Sequence, residues 1–281
     1  MRSFITRKYV TIFTVLSFLV FGCQTDLPKN HNGENQPRFQ LISPEDSGIG
    51  FANVVEERYD NFFEFFMYVY NGGGVATGDI NNDGLLDLYF TGNEIPNKLY
   101  LNKGNLKFED ITEAAGAVGA TGWHNGVTMV DINGDGWLDI YVCRGGWQDT
   151  EKERKNLLYI NQGDLTFKEG ASNYGLDDAS WSTQAAFFDL DNDNDLDMYL
   201  MNRPDSFALP LHVTAGRRLT HPENNRDKLY INYDGKFKEE GLARGIHENY
   251  DYGLGLGTAD INDDNYMDIY VSNDFSGGDY F

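Results

Sequence analysis

Four stretches of nine residues carry oxygen-bearing side chains in the same pattern. They are Asp79-Ile-Asn-Asn-Asp-Gly-Leu-Leu-Asp87, Asp131-Ile-Asn-Gly-Asp-Gly-Trp-Leu-Asp139, Asp189-Leu-Asp-Asn-Asp-Asn-Asp-Leu-Asp197 and Asp260-Ile-Asn-Asp-Asp-Asn-Tyr-Met-Asp268. Positions 1, 3, 5 and 9 are Asp79, Asn81, Asp83 and Asp87 in loop I, and Asp131, Asn133, Asp135 and Asp139 in loop II. They are Asp189, Asp191, Asp193 and Asp197 in loop III, and Asp260, Asn262, Asp264 and Asp268 in loop IV. A hard cation such as Ca²⁺ takes roughly six to eight oxygens at short range, and alternating Asp and Asn in a tight turn supplies them. The backbone carbonyl of position 7 (Leu85, Trp137, Asp195 or Tyr266) would complete each shell. Position 6 is Gly84, Gly136, Asn194 or Asn265, the residue types that best tolerate a left-handed backbone. The pattern predicts about four Ca²⁺ ions. The alternative is an acidic Asx/Gly hairpin turn without metal. Fourfold recurrence argues against it, as does the electrostatic cost of crowding three or four Asp into nine residues without a cation.

An EF-hand loop needs a bidentate Glu at position 12 and a helix on each side. Position 12 here is Phe90, Val142, Leu200 or Val271. The flanks read as strands: Val75–Gly78, Val127–Val130, Ala185–Phe188 and Leu256–Ala259 before the loops, then Leu88–Phe90, Ile140–Val142, Met198–Leu200 and Ile269–Val271 after them. These runs are short, rich in β-branched and aromatic residues, and bounded by turn residues. The unit is strand, loop, strand.

A second hairpin follows the first three loops. It comprises Lys98-Leu-Tyr-Leu-Asn102 then Phe108, Leu157-Leu-Tyr-Ile-Asn161 then Phe167, and Lys228-Leu-Tyr-Ile-Asn232 then Phe237, with Gly104, Gly163 and Gly235 in the turns. Two hairpins make a four-stranded unit. The loops recur at intervals of 52, 58 and 71 residues, which points to the blades of a β-propeller.

The run Gly72-Gly-Gly-Val-Ala-Thr-Gly-Asp-Ile-Asn-Asn-Asp-Gly-Leu-Leu-Asp-Leu-Tyr-Phe90 resembles the FG-GAP/VCBS repeat of integrin-α-type propellers. Adding Asn97–Asn102, Asp110-Ile-Thr112 and Ser182-Thr-Gln-Ala-Ala186, the chain resembles bacterial surface lipoproteins with such repeats, which typically carry a C-terminal ASPIC/UnbV domain. The resemblance covers roughly residues 41–281. It implies Ca²⁺ in the Asp-rich loops and a seven-bladed propeller, and leaves the biochemical role unassigned. Loops III and IV depart from the family pattern with Asn at position 6, which keeps the ligand set and adds backbone strain.

The formal net charge is −22. Thirteen of the sixteen side-chain ligands are Asp, so much of the acidity is local and four Ca²⁺ would offset eight charges of it. The acidic remainder argues against a nucleic-acid partner. Arg2, Arg7 and Lys8 precede a 14-residue mostly apolar stretch, Tyr9–Gly22, too short to span a bilayer as a helix. It ends at Leu19-Val-Phe-Gly-Cys23, which resembles a lipoprotein signal-peptidase site; a plain secretory signal is the alternative, since Phe21 is bulky for that motif. Residues 1–22 are thus expected to be a signal peptide, Cys23 the lipid anchor to a membrane, 23–40 a polar tether, and 41–281 the propeller repeats. With Cys23 lipidated, Cys143 has no disulfide partner and reads as a small buried hydrophobe. The repeat phase places the next hairpin at Asp279-Tyr-Phe281, so the sequence also reads as part of a longer propeller.

Five scattered histidines, including His124, make no metal or nucleophile motif, and His124 reads as a packing or surface residue. Gly72-Gly-Gly74 precedes a strand and reads as a close backbone approach. The aromatic run Phe62–Tyr68 reads as a core strand. The non-repetitive stretch Asn202–Arg226 is either a binding insertion or a tolerated surface loop. The expected fold is an all-β propeller of four-stranded blades. The expected role is that of an extracytoplasmic, non-catalytic module for a protein or glycan ligand. The rival functions are a propeller-type polysaccharide lyase or hydrolase, and an integrin-like adhesin.

Overall fold

The computed structural model describes residues 39–59, 61, 66–147, 149–205, 223–246, 251–274 and 278–281. In it each Asp-rich loop joins two antiparallel strands. These first hairpins are β1 (Val75–Gly78) with β2 (Asp87–Phe90), β5 (His124–Val130) with β6 (Asp139–Arg144), β9 (Ser182–Phe188) with β10 (Asp197–Asn202), and β13 (Tyr252–Ala259) with β14 (Asp268–Asp274). The register repeats: Gly78, Val130, Phe188 and Ala259 pair with the position-9 residues Asp87, Asp139, Asp197 and Asp268. The second hairpins are β3 (Lys98–Asn102) with β4 (Phe108–Asp110), β7 (Leu157–Asn161) with β8 (Phe167–Glu169), and β11 (Lys228–Tyr233) with β12 (Lys236–Glu239). Among the described residues the result is three four-stranded sheets, each in chain order, and one two-stranded sheet, all antiparallel and propeller-like; we number them blades I to IV.

The core lies between successive blades. Tyr89 and Leu99 of blade I pack with Ile140 and Val142 of blade II, Tyr141 and Leu158 of blade II with Met198 and Leu200 of blade III, and Tyr199 and Met201 of blade III with Val271 of blade IV. Side chains therefore leave both faces of the middle sheets, and β6 and β10 are buried at every residue. That explains why their sequences are near-continuously apolar rather than alternating.

The first strand of each blade abuts the first strand of the next: β1 on β5, β5 on β9, β9 on β13. The approach is close enough to need glycine. A Cβ on Gly74 would sit 2.8 Å from the Asn125 carbonyl oxygen, and one on Gly126 would sit 2.5 Å from that of Thr183. The Gly74 N–H donates across this seam to the Asn125 carbonyl at 3.0 Å. Because the obstacle at Gly126 is backbone of the next blade, Gly126→Ala is expected to cost about 1–3 kcal/mol, as overpacking does. A denaturant midpoint equal to wild type would contradict this seam.

A tyrosine in the second strand of each blade is held from the chain just ahead of the third strand. Tyr89 OH accepts from Asn97 Nδ2 at 2.9 Å, Tyr141 OH accepts from Asn156 Nδ2 at 3.0 Å, and Tyr199 OH donates to Asp227 Oδ2 at 2.7 Å. In blade IV, Tyr270 OH donates to Asp279 Oδ2 at 2.5 Å, and Val271 pairs with Tyr280 as Phe90 pairs with Lys98. The third-strand position thus falls on Tyr280, one residue later than the sequence offset indicates.

Three further expectations change or resolve. Met67–Tyr70 is a short 3₁₀ helix, not strand, and Phe66 and Val69 bury themselves three residues apart, which suits its three-residue turn. Cys143 lies within β6 and is a buried free thiol, the small buried hydrophobe expected. His124 is buried at the start of β5, and burial lowers its pKa to about 3, so it is a neutral packing residue. The signal segment, Cys23, most of the tether, Phe62–Phe65 and the middle of the Asn202–Arg226 stretch lie outside the described residues. No helix among the described residues is long and apolar enough to cross a membrane.

Candidate metal centres

The four loops fold alike, and the reason is local hydrogen bonding. The position-1 carboxylate accepts two backbone N–H groups, from positions 5 and 6. Asp79 takes Asp83 and Gly84 at 3.1 and 2.7 Å, Asp131 takes Asp135 and Gly136 at 3.0 and 2.8 Å, Asp189 takes Asp193 and Asn194 at 3.1 and 3.0 Å, and Asp260 takes Asp264 and Asn265 at 3.1 and 2.9 Å. The position-5 carboxylate accepts the N–H of position 7 at 2.9 to 3.0 Å in every loop. This is Asx-turn chemistry, which bends the chain around the carboxylates.

The bend requires two left-handed residues. Position 6 has φ of 85° at Gly84, 87° at Gly136, 71° at Asn194 and 70° at Asn265. Position 4 is left-handed as well, with φ of 56° at Asn82, 71° at Gly134, 62° at Asn192 and 60° at Asp263. Only position 6 was expected from the sequence. Position 4 carries the same signature of Asn, Gly or Asp, the residues that enter this region at least cost.

Position 9 is set apart from the exposed ligands. Asp87 and Asp139 are 0% exposed and Asp197 1%. Each gives one oxygen to the N–H of position 2 and the other to the third strand. For Asp139 the donors are Ile132 at 3.2 Å and Asn161 at 2.8 Å; for Asp87 they are Ile80 and Asn102, and for Asp197 Leu190 and Asn232. Asp268 accepts from Ile261 at 2.9 Å. Each carboxylate oxygen keeps a second lone pair for a cation. The asparagines Asn102, Asn161 and Asn232, part of the repeated Leu-Tyr-x-Asn run, also donate to the position-8 carbonyls of Leu86, Leu138 and Leu196. Their role as staples was not evident in the sequence, although their recurrence was.

In loop III one carboxylate oxygen each from Asp189, Asp191 and Asp193 lies within 4.8 Å of the others. Loops I and II have an amide at position 3, and Asn81 Nδ2 and Asn133 Nδ2 rest on the position-5 carboxylates at 3.0 and 2.9 Å. In loop III Asp195 Oδ1 is buried and accepts no hydrogen bond. Its burial, then the charges of Asp193 and Asp197, push its pKa up to about 6. The all-oxygen donor set of each loop fits a hard divalent cation and suits zinc poorly.

Burial also raises the pKa of Asp139, to about 6, and lifts Asp87 and Asp197 in the same direction. A carboxyl whose folded pKa lies above its unfolded value of about 3.9 favours the fold when protonated, so its contribution is full below about pH 4 and fades as pH rises through 6. In metal-stripped protein, wild type should therefore gain stability relative to Asp139→Asn as pH falls from 6.5 to 4.5. Denaturant midpoints at those two pH values check it; a difference that does not change, or that moves the other way, contradicts it. A bound cation favours the charged form and should oppose the trend.

The far end of blades I and II holds a cavity of about 710 Å³, lined by Phe66, Trp123 and Trp147 together with Asn61, Glu94 and Asp149. The inner strands enclose a smaller crevice of about 200 Å³, lined by glycines, Asn125, Gln184 and Tyr68 among others.

Residues 79–142 and 148–200 match the family described as FG-GAP-like repeat. The first matched segment runs from the start of loop I into β6, and the second from ahead of β7 into β10. The chain is similar to cartilage acidic protein 1 of Xenopus tropicalis, 31% identical over 141 residues, and of Mus musculus, 30% identical over 131 residues. These matches cover 50% and 47% of this chain but 21% and 20% of the relatives, so the chain spans about a fifth of the length of the curated relatives it matches.

Proposed function

We propose that this chain of FG-GAP-like repeats is a Ca²⁺-binding β-propeller module, which presents a binding surface to a protein or glycan partner and performs no catalysis itself. The observation that carries the reading is the fourfold identity of loop geometry: the same carboxylate bonds, the same two left-handed residues and the same strand register recur in all four blades. The carboxylates of positions 1, 5 and 9 all hold backbone N–H groups, and crowding three or four Asp into nine residues is what a cation would offset. The further ligand positions, Asn81, Asn133, Asp191 and Asn262, add oxygen on the same loop, and the position-7 carbonyls of Leu85, Trp137, Asp195 and Tyr266 complete the proposed shells.

The aromatic cavity at the opposite end supports a binding role, since ligand sites combine apolar walls with a few polar groups. The apolar segment before Cys23 supports export and a lipid anchor at Cys23, placing the module on the extracytoplasmic side of a membrane. The acidic charge disfavours nucleic acid. The closed ring belongs to this reading too, with blades beyond the four described.

Equilibrium dialysis of chelator-treated protein tests it. About four Ca²⁺ should bind per chain, with affinities roughly in the 10⁻⁴–10⁻³ M range of extracellular modules. No binding, or a preference for Zn²⁺, would overturn the reading.

A further inference from the structure

Apolar residues at position 2 of one loop and position 8 of the next share a cluster at all three seams, Ile80 with Leu138, Ile132 with Leu196 and Leu190 with Met267, but side-chain hydrogen bonds from position 4 tie the loops only in pairs. Asn82, at position 4 of loop I, donates from Nδ2 to the carbonyl of Gly136, at position 6 of loop II, at 3.0 Å. Asn192, at position 4 of loop III, donates in the same way to the carbonyl of Asn265 in loop IV at 3.1 Å. Position 4 of loop II is Gly134, which has no side chain to reach loop III. Loops I and II share a second tie: Asn161 of β7 donates to the Ile80 carbonyl of loop I at 2.9 Å and to the Leu138 carbonyl of loop II at 3.1 Å. Its blade III counterpart Asn232 reaches Leu196 of its own loop, at 3.2 Å.

These contacts fall at places where they can transmit order. Asn82 stands between Asn81 and Asp83, both proposed ligands, and its left-handed backbone must be held for either to face a cation. The carbonyl it grips belongs to the peptide Gly136–Trp137. The N–H of that same peptide donates to Asp135 Oδ1 at 2.9 Å, and the next carbonyl, that of Trp137, is a proposed ligand. The peptide is thus fixed at its oxygen by loop I and at its nitrogen by a ligand of loop II. The Asn192–Asn265–Tyr266–Asp264 chain repeats the arrangement, with the Tyr266 N–H donating to Asp264 at 2.9 Å. A cation that orders one loop lowers the conformational cost of ordering the loop to which it is tied, and the effect is reciprocal.

We propose that the four loops load with Ca²⁺ as two positively coupled pairs, I with II and III with IV, and that Gly134 insulates one pair from the other. The inference rests on the reading of the loops as Ca²⁺ sites. One hydrogen bond of this kind sets the scale of coupling at roughly two- to tenfold in affinity.

Loop II carries its own reporter. Trp137 occupies position 7, so indole excitation sensitises Tb³⁺ bound in loop II, whereas loops I and III have Leu85 and Asp195 there. Tb³⁺ is an oxygen-seeking ion that substitutes for Ca²⁺. In the full chain, Asp83→Asn cripples loop I while keeping an oxygen to accept the Leu85 N–H. It should weaken Tb³⁺ binding at loop II roughly two- to tenfold. Asp193→Asn, in loop III, should leave loop II unchanged. In an Asn82→Gly background, which keeps the left-handed turn but removes the amide, Asp83→Asn should affect loop II less than in wild type. Asn161 remains as the second tie, so the additional change Asn161→Ser should remove the remainder. The converse variant is Gly134→Asn. A Cβ at this left-handed position meets nothing within 4 Å, so the new amide is accommodated. It should make loop II responsive to Asp193→Asn.

Loop II emission indifferent to Asp83→Asn would overturn the pairing, and so would an equal response to Asp193→Asn in the wild type. Both results leave the Ca²⁺ sites themselves standing. Absence of any Ca²⁺-displaceable Tb³⁺ emission would instead remove the sites, and the coupling with them.

Discussion

Removing Ca²⁺ is expected to lower the melting temperature by roughly 10–20 °C, the largest single change in conditions that the loops allow. A ligand that binds only the native state stabilises it by RT ln(1 + [L]/Kd), about 1.4 kcal/mol per site at ten times Kd. Four such sites contribute about 5–6 kcal/mol, and one kcal/mol moves the melting point of a domain of this size by about 2–4 °C. The physical source is plain in loop III, where three carboxylates crowd within 4.8 Å and a fourth, Asp195, has an unpartnered oxygen. Without a cation this repulsion is paid by the fold. Calorimetric scans in millimolar Ca²⁺ and in EDTA check the prediction; coincident scans would contradict it.

Asp139→Ala is expected to cost about 2–4 kcal/mol, and most of that cost should persist in EDTA. The Asp139 carboxylate holds the Ile132 and Asn161 N–H groups, and both would lose their acceptor inside a buried site. Burial of the charge, which lifts its pKa to about 6, offsets part of the gain and keeps the figure from being larger. The control is Glu109→Ala, whose exposed pairing with Lys103 at 3.6 Å should be worth little. Urea midpoints measured with and without metal separate the two roles of position 9. A loss confined to Ca²⁺-loaded protein would make Asp139 a ligand only and would contradict the anchoring described here.

Much of this architecture is legible in the sequence because it repeats. A single Asp-rich turn is ambiguous between metal site and hairpin, but four turns in one hydrophobic setting fix the strand boundaries. The pairings Gly78–Asp87, Val130–Asp139, Phe188–Asp197 and Ala259–Asp268 follow that setting. The second hairpins fall at Lys98–Asn102 and Leu157–Asn161, as their Leu-Tyr-x-Asn runs indicate.

The illegible parts are the non-local ones. Nothing near Asn161 in sequence reveals that its amide reaches Ile80, 81 residues away. The close packing at Gly126 depends on the backbone of another blade. The run through Tyr68 misleads because its two Phe pairs on either side of Glu64 look like strand, while Phe66 and Val69 follow the period of a 3₁₀ turn. Position 9 reads as one more ligand on spacing alone. Only the fold makes Asp87, Asp139 and Asp197 buried anchors between loop and third strand.

Each Asp-rich loop is proposed to hold one Ca²⁺. The most direct test is a calorimetric titration of four single variants, Asp83→Asn, Asp135→Asn, Asp193→Asn and Asp264→Asn, beside wild type. Each change removes one ligand charge at position 5 and keeps an oxygen for the position-7 N–H. About four sites are expected in wild type, with loss or marked weakening of one of them in each variant and a milder effect confined to the paired loop. A wild-type stoichiometry of zero, or a titration that none of the four changes alters, would contradict it.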